Sequence, residues 1–401
     1  MAADPVPGHS EPIMASSSSS IAVIGAGPAG LAAALLIAQR GKPVTLLGPR
    51  ATSPDSRTTA LLGPTVAALE ESGAWALARP DAAPLRIMRI VDGTRRLWRA
   101  PPVSFDSAEM GLEAFGWNIA NGRLTDALEQ ATRANALIER VEKPARVTAI
   151  HDDHVELTID GEAPTPRAFA LVVAADGRRS AARQAAGIEV REWTYPQVAL
   201  TASFAHSRPH RDVSTEFHTE TGPFTLVPLP GQRSSLVCIV KPEEAERLAA
   251  LDDVSLGREI ERRGHSILGK ITLEPGRASI PMSGMTADKF GARRIALVGE
   301  TSHVFPPIGA QGFNLTMRDC IAIAEGVATV ADPGAPAVMD AYDKNRRGDV
   351  RMRTTAVDLL NRSLLSDMLA VQGVRGLGMF MLDRVGPLRR AMMREGLSAR
   401  Q

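Results

Sequence analysis

The sequence predicts an α/β protein with an α+β region, in which a Rossmann-like nucleotide-binding fold is interleaved with an antiparallel sheet and followed by C-terminal helices. Three observations predict this class. A short apolar strand at residues 21–24 runs into a glycine-rich turn, an Ala- and Leu-rich helix and a second strand at residues 44–47, which is the start of a βαβ unit. Short alternating runs at about residues 86–98 and 194–240 are typical of a sheet with one covered face. From Asp340 onward the pattern is helical and arginine-rich.

The composition is that of an ordinary globular protein. Of its 401 residues 44% are apolar, and 46 basic residues balance 45 acidic ones, which argues against a nucleic-acid-binding protein. Two cysteines, Cys238 and Cys320, are too few for a disulfide framework or a thiolate zinc site, so we expect a reducing, cytoplasmic location. No stretch reaches the roughly 20 apolar residues of a membrane span. We expect residues 1–20, which end in five serines, to be a disordered leader.

The turn after the first strand predicts a dinucleotide site. It reads Gly-Ala-Gly-Pro-Ala-Gly at residues 25–30. Gly25 permits the tight turn, Gly27 allows a pyrophosphate to approach the backbone, and Gly30 lets the helix pack closely on the strand. The free N–H groups of the helix then face the phosphates. The alternative is a glycine-rich turn that binds no ligand.

One part of this fingerprint is absent. The acidic residue that holds the adenosine ribose at the end of the second strand is replaced by Gly48. Loss of such a charged hydrogen bond costs about 1.5–3 kcal/mol. We therefore expect weakened cofactor binding, and we expect the Gly48→Glu substitution to tighten it.

Two later apolar strands also end in a glycine and an acidic residue. The strand at residues 169–175 ends in Asp176-Gly177, and the strand at residues 295–298 ends in Gly299-Glu300. A helix is expected to begin near Gly312.

Three separated blocks now resemble a known family. Besides the glycine turn, residues 176–183 are similar to a DGxxSxxR segment, and residues 299–315 are similar to a GDAAHxxPPxxGQGxNL segment. Together they resemble the single-component aromatic-ring flavin hydroxylases, whose best-known fold is that of para-hydroxybenzoate hydroxylase. The resemblance implies an FAD-binding fold with an interleaved substrate domain.

Finer details resemble the ubiquinone-biosynthesis branch of that family. Residues 57–61 are similar to its RxxAL segment, Asn121 with Leu124 to its ENxxL segment, and residues 195–197 to a strand of its substrate domain. The resemblance covers nearly all of residues 21–397. The sequence departs from the family at Gly48, at Ala120 where a glutamate is usual, at Cys238 where a tryptophan is common, and at Glu300 where an aspartate is usual.

The resemblance implies which residues bind FAD. Glu300 would accept hydrogen bonds from the ribityl chain, Asp176 would orient backbone donors or a cation near the pyrophosphate, and Arg57 is such a cation. An exposed loop acid at Glu300 and a structural salt bridge at Arg57 are the alternatives. The N–H groups of residues 312–315 would face the pyrimidine edge of the flavin ring, where reduced flavin is negative. The full set of implied cofactor-binding residues is Gly25, Gly27, Gly30, Arg57, Asn121, Asp176, Gly177, Glu300, Gly312, Phe313 and Asn314.

Candidate substrate contacts follow from the same resemblance. Pro306 and Pro307 stiffen the loop that would form one wall of the active site, and Tyr195 would contact substrate or pack within its strand. His303 is a candidate general base. A hydrogen-bonded structural histidine is the favoured interpretation, since the family's histidine lies on the flavin side of the loop. The chemistry requires no metal.

The implied reaction is hydroxylation of an aromatic ring of a (poly)prenylated phenol in ubiquinone biosynthesis. NAD(P)H, bound transiently, or a protein electron donor would reduce FAD, and O₂ would then be captured as a flavin hydroperoxide. Two alternatives stay open, because fold analogy does not fix function. One is an FAD-dependent reductase or dehydrogenase that does not activate oxygen, and the other is a non-catalytic partner in a biosynthetic assembly.

The same reasoning divides the chain. We expect a discontinuous FAD-binding domain at residues 21–80, 100–190 and 280–345, a substrate domain at residues 81–99 and 191–279, and a C-terminal helical segment at residues 346–401. Residues 346–400 contain eleven arginines against five acidic residues. This segment is predicted either to dock peripherally on the cytoplasmic face of a membrane or to cap the flavoprotein core.

Overall fold

The computed structural model describes residues 20–50, 55, 57–94, 101–162, 165–220, 222–306 and 311–365, with side chains at all of these except 311 and 355–365. The first twelve strands are β1 (Ile21–Ile24), β2 (Val44–Leu47), β3 (Thr58–Leu62), β4 (Ala82–Pro84), β5 (Ile87–Asp92), β6 (Val103–Asp106), β7 (Gly116–Ala120), β8 (Ile138–Val141), β9 (Ala145–Ile150), β10 (Val155–Ile159), β11 (Arg167–Phe169) and β12 (Leu171–Ala174). They are followed by β13 (Val190–His206), β14 (Val213–Thr219), β15 (Gly222–Leu229), β16 (Arg233–Val240), β17 (Ile271–Leu273), β18 (Ala278–Ala287), β19 (Gly291–Ala292), β20 (Ile295–Leu297) and β21 (His303–Val304).

The α-helices of the described residues connect and cover these strands. They are α1 (Pro28–Gln39), α2 (Gly63–Glu71), α3 (Ala74–Ala78), α4 (Asn121–Ala134), α5 (Ala181–Ala185), α6 (Pro242–Ala249), α7 (Asp253–Arg263), α8 (Gln311–Ala328) and α9 (Pro336–Leu365). Within the part of the chain that the structure describes, no helix combines the length and the apolar character needed to cross a membrane.

A six-stranded sheet in the order β19-β20-β12-β1-β2-β8 contains β1, the strand that leads into the glycine turn. All of its pairings are parallel except that of β19 with β20. Every residue of β1, β2 and β12 is buried, as expected for parallel strands covered on both faces. One face packs on α1, α4 and α8, and the other packs on α5 and the antiparallel sheet β9-β10-β11. The α/β, Rossmann-like fold predicted from the sequence is confirmed.

A second, larger sheet lies beside the first. Its order is β21-β18-β13-β16-β15-β14-β5-β6, with β17 also paired to β13. Its pairings are antiparallel except that of β14 with β5. One face, which carries Leu200, Phe224 and Leu236, is covered by apolar residues of α6 and α7. Alternate residues therefore point away from these helices, toward the opposite face of the sheet.

The predicted strand at residues 169–175 is wrong in one respect, because it is two strands in different sheets. Phe169 pairs with Val155 in the antiparallel sheet, whereas Leu171 pairs with Ile21 in the parallel one. Ala170 lies at the switch, where its N–H donates to the Ser20 carbonyl and its own carbonyl accepts from Arg294. A continuous apolar run does not reveal such a change of partner, since both strands are buried.

The predicted domain boundaries can be compared with the pairing of the strands. β6 pairs with β5 in the large sheet, although residues 103–106 fall within the predicted FAD-binding segment. β4 pairs with β7 in the small sheet β3-β7-β4, although residues 82–84 fall within the predicted substrate segment. α9 begins at Pro336 and continues past residue 346, and residues 366–401 lie outside the described residues. The two-domain division stays a prediction.

Candidate functional site

The glycine turn joins β1 to α1 and contains two kinds of glycine. Gly25 has φ of +108°, and a Cβ there would lie 2.3 Å from the Ala175 carbonyl oxygen; a Cβ at Gly30 would lie 1.8 Å from the Gly25 carbonyl oxygen. These two glycines are required for packing. A Cβ at Gly27 would instead have no atom within 4 Å. Gly27 is also the N-cap of α1 and makes no side-chain cap. The first N–H groups of α1 therefore face open space that can accept a phosphate.

Three loops converge at the carboxyl edge of the parallel sheet. The Ala175 N–H donates to the Ile24 carbonyl, and a Cβ on Gly25 would come within 2.9 Å of the Asp176 nitrogen. Gly299, after β20, lies against the first turn of α1, since its Cβ position is 3.2 Å from Cβ of Ala29. The structure thus brings the three motif blocks together at one edge of the parallel sheet.

The Asp176 carboxylate forms hydrogen bonds within its own loop. Its carboxylate accepts from the Ser180 hydroxyl at 2.5 Å and from the Ala182 N–H at 3.2 Å. Ser180 in turn caps α5 by accepting from the Arg183 N–H. Gly177 follows with φ of +83° and open space at its Cβ position. Asp176 therefore orders backbone near the glycine turn, which is one of the two roles predicted for it.

Arg183 connects the second motif block to the third. Its side chain is buried, and its Nη1 donates to the Thr301 carbonyl at 2.8 Å. Burial lowers the pKa of this guanidinium from its ordinary value. A buried arginine bound to a backbone carbonyl fixes the position of the turn that carries Glu300.

Arg57 lies in a cluster with two other polar side chains. Its Nε and Nη2 donate to Asp55 at 2.8 Å each, and Asn121 Nδ2 donates to the same carboxylate at 2.9 Å. Burial raises the pKa of Asp55, but the hydrogen bonds from Arg57 and Asn121 outweigh it and bring the pKa to about 2. Asn121, the first residue of α4, also accepts from Thr59 at 2.6 Å. Arg57 and Asn121 are thus brought together by an acidic residue that the sequence reasoning missed.

Glu300 is exposed, in the short turn after β20. The hydrogen bonds to Asp55 are the main cause that raises the pKa of Arg57, and the negative charge of Glu300 contributes to the same shift. Arg57 and Glu300 therefore lie within electrostatic reach of each other. Between them they offer a hydrogen-bond donor and an acceptor beside the glycine turn.

The first turn of α8 presents backbone to open space. Gly312 is exposed, its φ is not positive, and a Cβ there would meet no atom within 4 Å. The Asn314 side chain is buried and bonded to protein: it accepts from the Leu62 N–H and the Thr65 hydroxyl and donates to the Ala60 carbonyl. Phe313 packs against the core of the parallel sheet. Asn314 thus fixes the start of α8 to β3 and α2. A hydrogen bond from Asn314 to a ligand would therefore come from its backbone.

His303 lies in a buried ionic cluster. Its Nε2 donates to Asp319 at 2.7 Å, and Arg346 Nε donates to the other carboxylate oxygen at 2.6 Å. The Gly299 N–H also donates to Asp319, at 2.9 Å. Burial acts to raise the pKa of Asp319, but the charges of His303 and Arg346 and these hydrogen bonds hold it below its ordinary value. Because His303 is 2% exposed and fully engaged here, the geometry favours the structural interpretation over the catalytic one.

Tyr195 lies at an irregularity in β13, where the register with β18 shifts between Thr194 and Val198. Its hydroxyl accepts from Trp193 Nε1 at 2.7 Å. It packs with Ala199, Ile239 and Met282 in an apolar cluster on the sheet face opposite to α6 and α7. Pro306 is buried, and Pro307 lies outside the described residues.

A hydrogen bond of Ser235 shows what lies opposite this face of the large sheet. Ser235, on the same face as Ile239, lies 2.9 Å from the Thr58 hydroxyl at the start of β3. Cys238 is on the other face beside Arg263, and burial raises the pKa of its thiol to about 11. The apolar cluster therefore lies on the face of the large sheet that contacts β3 of the small sheet β3-β7-β4, and Cys238 does not.

The geometry at Gly48 does not support the sequence-based interpretation of this residue. Its φ is +142°, and a Cβ there would lie 3.0 Å from the Ala26 nitrogen, against the glycine turn. Its carbonyl accepts from Arg140 Nη1 at 2.7 Å, and Arg140 is buried against Glu129. The expected rescue by Gly48→Glu is not supported, because an L side chain is strained at this φ. The glycine is required by the local backbone.

Comparison with known proteins identifies the family. Residues 18–356 match the family described as FAD binding domain. Ubiquinone hydroxylase UbiL of Rhodospirillum rubrum is 32% identical over 391 residues, which cover 94% of this chain and 89% of the relative. The 3-demethoxyubiquinol 3-hydroxylase of Escherichia coli is 29% identical over 392 residues, 94% of this chain and 98% of the relative. Among solved structures, p-nitrophenol 4-monooxygenase PnpA of Pseudomonas putida DLL-E4 superposes with a TM-score of 0.75 at 20% identity, over 95% and 98% of the two chains.

The chain belongs to the FAD-binding family of flavoprotein monooxygenases. The predicted enzyme class and the predicted cofactor are thereby confirmed. The geometry fits the cofactor, because backbone at Gly27, Gly177 and Gly312 borders open space along the edge where the three loops meet. The individual FAD-binding residues stay a prediction.

Proposed function

We propose that this monooxygenase hydroxylates an aromatic ring of a (poly)prenylated phenol in ubiquinone biosynthesis. The observation that carries the proposal is similarity over nearly the full length to two enzymes named as hydroxylases of ubiquinone or its precursor. A hydrophobic small molecule and O₂ are the implied reactants. FAD, when bound, supplies the oxygen-transfer chemistry after reduction by NAD(P)H or a protein donor.

In this proposal the backbone of three loops holds FAD. The N–H groups at the start of α1 bind the pyrophosphate beside Gly27, and those at the start of α8 face the flavin ring beside Gly312. Glu300 accepts hydrogen bonds from the ribityl chain. Arg57, held by Asp55 and Asn121, supplies positive charge on the same side.

The substrate ring would lie against the apolar cluster of the large sheet. Ile239, Met282 and the ring of Tyr195 offer a largely apolar surface that excludes water. Pro306 and Pro307 would limit the opposite side. Because His303 is engaged by Asp319, we assign it no proton transfer from substrate.

Quinone intermediates provide the direct test. Cells that lack the protein should accumulate a prenylated precursor one hydroxyl group short of a normal intermediate, as measured by mass spectrometry. The purified protein, given FAD, a reductant and that precursor, should consume O₂ in proportion to hydroxylated product. Reduction of substrate without coupled O₂ uptake would identify the reductase alternative instead. Failure of the purified protein to take up FAD would favour the non-catalytic partner.

We also propose that the arginine-rich C-terminal segment docks on anionic membrane, since a polyprenylated substrate resides in the bilayer. Most of this segment lies outside the described residues, so the proposal rests on its composition. Each cation near an anionic surface contributes about 1 kcal/mol to binding. Co-sedimentation with vesicles should rise with anionic lipid content, fall with salt and disappear when the chain is truncated near Arg375. Binding that ignores lipid charge would leave only a capping role.

A further inference from the structure

A tight hairpin places three potential metal ligands on one face of the antiparallel sheet β9-β10-β11. β9 and β10 are joined by Asp152-Asp153, and the His151 N–H donates to the His154 carbonyl at 2.8 Å. His151 and His154 therefore face each other across the turn. Glu156 is two residues beyond His154 and shares its face. The backbone thus brings the three side chains together before any ligand is present.

The ligand atoms are close to the spacing that a transition metal requires. His151 Nε2 and His154 Nε2 lie 3.5 Å and 3.6 Å from Glu156 Oε1. With metal bonds of about 2.0–2.1 Å, adjacent ligands of a tetrahedral site are about 3.3–3.4 Å apart. All three ligand atoms lie within 4.8 Å of one another. The imidazole rings of His151 and His154 are stacked, with centroids 4.4 Å apart, so they must turn toward each other to share one ion. Side chains that are between 23% and 45% exposed have room for this rotation.

A neighbouring carboxylate supports this interpretation. Asp153 Oδ1 lies 2.7 Å from His154 Nδ1. This contact keeps the proton on Nδ1 and leaves Nε2 as the metal-binding atom, which is the arrangement that orients histidines in metal sites. The nearby Arg294 donates to the carbonyls of Asp152 and Ala170 and is paired with both carboxylate oxygens of Asp332. The Asp332 carboxylate therefore offsets part of its positive charge.

We propose that His151, His154 and Glu156 bind one Zn²⁺ ion or a similar divalent transition metal. Two imidazoles and one carboxylate are ligands that suit Zn²⁺, and the remaining positions are open to water. The site is separate from the flavin chemistry. Arg294, which holds the hairpin, precedes the amino end of β20, whereas Gly299 and the three motif loops lie beyond its carboxyl end. The metal would fasten the hairpin tip.

Metal titration of the full-length, tag-free, metal-stripped protein tests the proposal. Zn²⁺ uptake is measured by competition with a chromogenic chelator, and Co²⁺ absorption reports the coordination. The expected result is one equivalent per chain. His154→Ala and Glu156→Gln should each weaken binding by at least about tenfold, and Asp153→Asn by about tenfold, as is typical of a supporting carboxylate.

A matched control separates this site from other histidines. His265 is exposed and has φ of +51°, a conformation that asparagine tolerates, so His265→Asn should bind Zn²⁺ within about twofold of wild type. Far-UV circular dichroism and FAD content should be unchanged in all variants. Absence of Zn²⁺ uptake by the wild-type protein, or equal uptake by the His154→Ala and Glu156→Gln variants, would overturn the proposal.

Discussion

The proposed cofactor site has an adenosine end at the glycine turn and a flavin end at the start of α8, and the two ends are built in different ways. At the adenosine end, β1, the glycine turn and α1 are contiguous, and the contacts that shape the site come from backbone atoms around Gly25 and Gly30. At the flavin end, side chains join segments that are distant in the chain: Asp55 contacts Asn121, Asn314 contacts β3, and Asp319 contacts Gly299. The first construction depends on glycine, whereas the second depends on buried polar partners.

This difference determines how each end should respond to mutation. A site formed by backbone atoms tolerates no added side-chain atoms at glycines that pack against neighbouring backbone. Because no titratable side chain holds it, its stability does not depend on pH. A side-chain-built site loses its geometry when one charged partner is neutralised. Substitutions at the two ends should therefore differ in whether they change stability, FAD affinity or pH dependence.

The largest effect is expected at Asp319. Asp319→Asn removes the charge that pairs with His303 and Arg346 in a fully buried site, and loss of one partner there costs about 3–5 kcal/mol of unfolding free energy. Chemical denaturation of the two proteins measures it. Asp349→Asn is the control, because Asp349 is partly exposed and Arg346 keeps Asp319 as a partner. Equal losses in the two variants would contradict the special role of Asp319.

The same residue gives the flavin end a pH dependence. Because the pKa of Asp319 is lower in the folded protein than in the unfolded chain, its contribution to stability is present above the unfolded pKa, which is about 3.9. That contribution is lost as the pH falls from there through the folded pKa. Wild-type stability should drop in this acidic range by more than that of Asp319→Asn. Parallel pH profiles would show that the charge contributes nothing.

The next effect compares two glycines of one turn. Gly30→Ala places a Cβ 1.8 Å from the Gly25 carbonyl oxygen, and overpacking of this kind costs about 3 kcal/mol or more. Gly27→Ala meets no atom, so it should leave the thermal unfolding midpoint unchanged while reducing FAD affinity in a fluorescence titration. If Gly27→Ala bound FAD as tightly as wild type, the open space beside Gly27 would not be the pyrophosphate site.

Much of the adenosine end could be predicted from the sequence, and the flavin end only in part. The strand, turn and helix at residues 21–39 follow from local glycine spacing and apolar periodicity. Asp55 and Asp319 were missed because a single acidic residue in a loop or helix has no pattern that names its partner. The strand switch at Ala170 and the positive φ of Gly48 were missed for a similar reason, since each depends on contacts between segments distant in the chain.

Substitution of Gly312 tests whether the start of α8 borders the flavin. Gly312→Val adds a side chain to open space, so the protein should fold normally but bind FAD about a hundredfold more weakly, equal to about 2.7 kcal/mol. Gly348→Val is the matched control, because Gly348 is also an exposed helical glycine with no atom near its Cβ position. It adds the same side chain to the exposed face of a helix away from the site. Equal FAD affinity in both variants would remove Gly312 from the site.

The smallest effect is expected at Gly48, which lies at the adenosine end but lacks the usual acidic residue. If the adenosine end is built from backbone, Gly48→Glu should not improve it. The residue has φ of +142°, and an L side chain in a sparsely populated conformation costs about 1–2 kcal/mol. The added Cβ would also press on the Ala26 nitrogen at 3.0 Å.

We therefore expect the Gly48→Glu protein to be less stable by about 1–2 kcal/mol and to bind FAD no more tightly than wild type. Gly48→Ala separates the two causes, because it carries the same backbone strain without the carboxylate. If Gly48→Glu bound FAD more tightly than Gly48→Ala, the carboxylate would reach the ribose despite the strain. The adenosine end would then accept a side-chain contact like those of the flavin end, and the contrast between the two ends would be weaker than the structure indicates.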